Sequence, residues 1–91
     1  MNVANPSSRM KARVIVTLKT SVLDPQGKAI ERACRSLGYG QVTGVRQGKL
    51  FELELAPGTE QKAAANLVRE LSEKLLSNPV IEDFRIVEIA P

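Results

Sequence analysis

Along the chain the apolar positions switch between a period of two and a period near 3.6, and the switches mark six elements. In residues 11–19, Ala12, Val14, Val16 and Leu18 alternate with Arg13, Ile15, Thr17 and Lys19, which predicts a half-buried strand. Asp24 and Pro25 then supply an N-cap and a first helical residue whose missing N–H costs nothing. The stripe Ala29, Ile30, Ala33, Cys34 and Leu37 predicts a helix with Lys28, Glu31, Arg32 and Arg35 on its wet side and Gly38 just past its end. A second strand is predicted over 41–46. A third follows over 50–55, where Phe51, Leu53 and Leu55 alternate with Leu50, Glu52 and Glu54, and Gln47 and Gly48 form the tight turn between them. Pro57 and Gly58 close that strand, and Thr59 is the expected N-cap of a second helix with the stripe Ala64, Leu67, Val68, Leu71 and Leu75. That helix ends at Asn78 and Pro79. Residues 80–89 predict a last strand with apolar residues on both faces, either covered on both sides or at an edge.

The order βαββαβ predicts an α+β domain of ferredoxin-like fold, an antiparallel sheet with two helices on one face. The other face inherits Ile15, Leu50 and part of the last strand, and its natural cover is a second copy or another protein. Residues 1–9 have no period and predict a disordered extension, which leaves 10–91 as one domain. Either Met1 or Met10 can serve as the start.

Composition narrows the chemistry. A chain of 91 residues without histidine has no Ser-His or Cys-His nucleophile pair, no imidazole acid or base and no histidine-ligated metal. The lone Cys34 forms no intrachain disulfide and fits a reducing compartment. No apolar run is long enough for a membrane span, so a cytoplasmic location is expected. Asp24 is a cap, and the adjacent Glu82 and Asp83 point to opposite faces of a strand and cannot share a proton. Gly38 and Gly40 follow a helix, so they do not open a dinucleotide fingerprint. With 13 basic against 10 acidic residues the net charge is only +3, and three aromatic residues in all supply poor stacking for nucleic acid. No catalytic residue, cofactor or metal site is expected on this chain.

The remaining polar cluster is Lys19, Arg46 and Lys49, two of which flank Gly48. At these residues the sequence resembles the PurS subunit family of phosphoribosylformylglycinamidine synthase. Three segments carry the resemblance: Thr-Leu-Lys-Thr-Ser-Val-Leu-Asp-Pro-Gln-Gly at 17–27, Val-Arg-Gln-Gly-Lys at 45–49, and Glu-Lys-Leu-Leu-Ser-Asn-Pro-Val-Ile-Glu-Asp-Phe at 73–84. The resemblance implies a non-catalytic small subunit, itself a dimer, that joins a glutaminase (PurQ) to a synthetase (PurL) and assists ammonia transfer in a complex using ATP and Mg. The expected contact residues are Ile15 for self-association and Arg46, Gly48, Lys49, Asn78, Ile81 and Glu82 for the larger subunits. The competing reading is a stand-alone homodimeric module that binds a small molecule.

Overall fold

The structure, a computed structural model, describes residues 10–91, so the extension expected over 1–9 lies outside the described residues. Its elements are β1 (Lys11–Leu18), α1 (Pro25–Ser36), β2 (Gly48–Glu54), α2 (Gln61–Leu71), a π-helical turn (Ser72–Leu76) and β3 (Glu82–Ala90). The sheet order is β2-β1-β3, antiparallel throughout. The α+β class therefore holds, with three strands among the described residues where four were expected.

The alternating strand becomes the centre of the sheet. Ala12, Val14 and Val16 are buried together with Ala64 and Val68 of α2 and Leu55. Full burial of a valine contributes about 1.5–3 kcal/mol, so Val14, Val16 and Val68 carry much of the stability of this small core. The mixed faces of the last strand have a geometric cause. The β1–β3 register shifts at Arg13/Val14, pairing Arg13 with Glu88 but Val14 with Ile86, so Val87 is an extra residue and lies exposed. This bulge lets Phe84, Ile86 and Ile89 all pack against the core from one edge strand.

The helix α2 departs from the predicted stripe. Its buried positions are Ala64, Val68 and Ser72, while Leu67 and Leu75 are exposed. Small residues at a spacing of four make the contact, and the π-helical turn carries that track to half-buried Leu76. The Ser72 hydroxyl is satisfied by donating to the Val68 carbonyl at 2.7 Å, and Ser77 closes the turn by donating its N–H and hydroxyl to the Ser72 carbonyl. The cap also differs: Glu60 precedes the helix, and the Thr59 hydroxyl donates instead to the Ala56 carbonyl.

The ends of α1 follow the prediction. Asp24 caps the Gly27 N–H at 3.0 Å, Pro25 opens the helix, and Gly38 has φ +90°. The Tyr39 N–H reaches the Cys34 carbonyl and the Gly38 N–H the Arg35 carbonyl, a Schellman closure. Its faces do not follow the prediction. The buried residues of α1 are Gly27 and Glu31, whereas Ile30 is 42% exposed and Leu37 72% exposed. Of the two helices expected to cover the sheet, only α2 contributes to the core among the described residues, and none of these covers the apolar stripe of α1.

Residues 41–46, expected as a strand, form none: within them the Val42 N–H donates to the Tyr39 carbonyl and the Val45 N–H to a side-chain carboxylate. The Val45 N–H donates to Glu31 at 3.0 Å and the Gln47 N–H to Asp24 at 2.8 Å. Amides engaged by carboxylates of α1 have no part in a strand ladder, so no hairpin turn forms at Gln47 and Gly48. Gly48 instead opens β2, facing Thr17.

Candidate partner-binding site at one end of the sheet

The end of β1 and the starts of α1, β2 and β3 meet at one end of the sheet. The site begins with the Asp24 carboxylate, which uses one oxygen for the cap at Gly27 and the other for the Gln47 N–H. The side-chain amide nitrogen of Gln47 donates to the Gln26 side-chain oxygen. Gly27 is required by close approach: a Cβ there would lie 2.5 Å from the Val45 carbonyl oxygen and would also collide with Asp24 Oδ2. Gly48 has the same cause, since its Cβ would lie 2.6 Å from the Val16 carbonyl oxygen.

The donors hold two carboxylates as anions. Asp24 is shifted below the ordinary aspartate range chiefly by the Gln47 N–H, then by the Gly27 N–H, with the charge of Arg46 adding to them. Glu31, 8% exposed, is lowered chiefly by the Val45 N–H, against the cost of its burial and with help from Lys28 and Arg35. Neither is a proton donor near neutral pH, so this corner suits binding and positioning, not acid catalysis.

Across the corner, Lys49 pairs with Glu82 at 3.6 Å, where the Glu82 side chain is only 13% exposed. Glu82 Oε1 accepts the Asn78 N–H at 2.7 Å, and the Asn78 carbonyl accepts the N–H groups of Ile81 and Glu82. The Asn78 side chain accepts the Val80 N–H, which explains the sharp stop before β3. Lys19 pairs with Asp83 at 2.8 Å, and its N–H donates to the Ile81 carbonyl. Glu82 and Asp83 thus reach different lysines from opposite faces. A cleft of about 250 Å³ opens here between apolar Val16, Leu18 and Pro25 and polar Asp24, Gln47, Lys49 and Glu82.

Of the residues singled out from sequence, Gly48, Lys49, Asn78, Ile81 and Glu82 come together at this end, and exposed Arg46 lies in the segment bound to Asp24 and Glu31. Ile15 does not. It is half-buried on the face away from α2, opposite Leu50 and Arg85, beside the Arg13–Glu52 ion pair at 3.2 Å. Asp24 as a bridge and Glu31 as a buried anchor were missed. The available signal was Gly27 in the first turn of a helix, where glycine costs about 1 kcal/mol relative to alanine and points to a close backbone neighbour. Among the described residues no group of three or more Cys, Asp or Glu is gathered as a metal site, and no helix is long and apolar enough to cross a membrane.

The three segments that carry the resemblance are joined pairwise at this corner: 17–27 to 45–49 through Asp24 and Gln47, 45–49 to 73–84 through Lys49 and Glu82, and 17–27 to 73–84 through Lys19 and Asp83. The family model described as PurS, phosphoribosylformylglycinamidine (FGAM) synthase, matches residues 11–89. The chain belongs to the PurS family. It is 48% identical over 75 residues to the phosphoribosylformylglycinamidine synthase subunit PurS of Bacillus subtilis, covering 82% of this chain and 87% of that one. Thermus thermophilus PurS superposes with a TM-score of 0.76 at 31% identity, covering 91% of this chain and 96% of that one. A chain in the structure of PurLQS from Thermotoga maritima also gives 0.76, at 32% identity over 86% of this chain and 94% of its own length. Membership of the PurS family decides between the two functional readings. A chain of this family is a PurS subunit of FGAM synthase, an enzyme of the purine biosynthetic pathway.

Proposed function

We propose that this PurS subunit is a dimer that joins the glutaminase PurQ to the synthetase PurL, with Arg46, Gly48, Lys49, Asn78, Ile81 and Glu82 forming the contact with the larger subunits. The observation that carries this reading is the likeness to a chain of the Thermotoga maritima PurLQS structure. In the assembled enzyme, glutamine hydrolysis releases ammonia at one subunit. At the other, ATP, with Mg, would supply a phosphoryl group to the amide oxygen of formylglycinamide ribonucleotide, and ammonia would then displace that oxygen, which leaves as phosphate alongside ADP. A bridging subunit shortens the ammonia path between the two sites and limits its escape to water, in the cytoplasm where the pathway runs. The chain's own residues position and recognise; chemistry and ATP belong to the partners.

Two apolar surfaces support self-association: the uncovered stripe of α1, with Ile30 and Leu37, and the smaller pair Ile15 and Leu50 on the far side of the sheet. Arg46→Ala combined with Lys49→Ala tests the bridging role. Assembly with PurL and PurQ should weaken in sedimentation, and glutamine-dependent activity should fall while ammonia-dependent activity is kept. Equal loss of both activities would sink the bridging assignment.

A further inference from the structure

We infer that Asp24 and Glu31 are positioning residues that clasp the segment 45–47 along α1 and thereby set where Arg46 meets a partner beside Lys49, which the β1–β2 ladder holds. The inference rests on the proposed contact role of those two cations, and its first half stands on geometry alone. Asp24 and Glu31 are two helical turns apart and so lie along one side of α1. The Val45 and Gln47 amides, two residues apart, each donate to one of them, in the order Glu31 with Val45 and Asp24 with Gln47. The segment therefore runs antiparallel to the helix, and Arg46 between the two anchors is left exposed. Gly27 allows the close approach, since any Cβ there meets the Val45 carbonyl. The charged groups around the clasp are Lys28, Arg35 and Arg46, with Lys49 and Glu82 on the other side of the cleft.

Hydrogen bonds to an ionised acceptor are stronger than neutral ones, and both carboxyls have lowered pKa values. The clasp is therefore complete above the ordinary carboxylate range and is lost as pH falls through the lowered values. Asp24→Asn with Glu31→Gln separates this role from helix capping. Asparagine remains a good N-cap, but its single carbonyl oxygen cannot serve both Gly27 and Gln47 in the two-oxygen arrangement of the carboxylate.

The test is amide hydrogen exchange of the full chain by NMR, paired with binding to the glutaminase and synthetase subunits. In the double variant, exchange at Val45 and Gln47 should accelerate by about tenfold or more, with Val14 and Val16 unchanged, and binding should weaken by about tenfold. Acidifying the wild type should release the same two amides, whereas the double variant should show no such pH step. If protection at Val45 and Gln47 is unchanged by the substitutions, the clasp is wrong. Released amides with unaltered binding overturn the positioning role. Should the double variant lose protection at Val14 and Val16 as well, Asp24→Asn alone and the wild-type acid titration decide the same point. Intact assembly of Arg46→Ala with Lys49→Ala overturns the contact reading, and the positioning role with it, while the exchange data continue to judge the clasp separately.

Discussion

The two helices are close in length, 12 residues in α1 and 11 in α2, and both carry an apolar stripe, yet they meet the rest of the chain through opposite faces. The helix α2 presents Ala64 and Val68 to the core built on β1, with Phe84, Ile86 and Ile89 of β3 packed against it, and is held by burial. By contrast, α1 presents carboxylates to the segment 45–47 and is held by charge-assisted hydrogen bonds, with Ile30 and Leu37 facing out. An amphipathic pattern shows that a helix has an apolar face and leaves open whose apolar surface will cover it. In the one case the cover is the chain's own sheet. In the other the chain's own contacts are polar, which leaves the apolar face available to another chain.

Breaking the apolar side should have the largest effect. Val68→Asp places a carboxylate without a partner in a fully buried site and is expected to cost more than about 3 kcal/mol, read as a loss of the folded baseline in urea denaturation. Gly27→Ala should act on the polar side and by less. Alanine favours the helix by about 1 kcal/mol, but its Cβ collides with the Val45 carbonyl. A net loss of about 1–2 kcal/mol is expected from overpacking, and a net gain would show that the segment can move away at little cost. Ile30→Glu should leave the stability of the single chain within about 0.5 kcal/mol, since the residue is exposed, and yet convert the proposed dimer to monomer in sedimentation. If Ile15→Glu has that effect and Ile30→Glu does not, self-association uses the far face of the sheet and α1 serves another partner.

Much of the fold was legible because short-range rules govern it. The alternation of 11–19, the cap at Asp24 and Pro25, and the left-handed Gly38 involve only neighbouring residues; the cap and Gly38 are found as read, and the strand is found over Lys11–Leu18. The candidate corner was legible for a different reason. Gly48, Lys49, Asn78, Ile81 and Glu82 belong to segments of a specific resemblance, and Glu82 and Lys49 do meet. Legibility failed where a group had two possible partners. The amides of 41–47 suit either a neighbouring strand or a nearby carboxylate, and local pattern does not rank the two. Leu67 and Leu75 fit the apolar spacing of a helix stripe, whereas the buried track runs through the smaller Ala64 and Ser72.

By itself the sequence determined the α+β class, the helix boundaries at Asp24 and Gly38, the absence of imidazole chemistry and the family. These depend on residue type and local spacing, which do not change when the chain collapses. Tertiary structure decided that Glu31 is buried and Ile30 is not, that a bulge turns Ile86 and Ile89 to one face, and that residues 45–47 lie along a helix and not in a sheet. Each of those outcomes is a competition between distant groups for the same donor or the same apolar surface, and only their positions in the folded chain determine the winner.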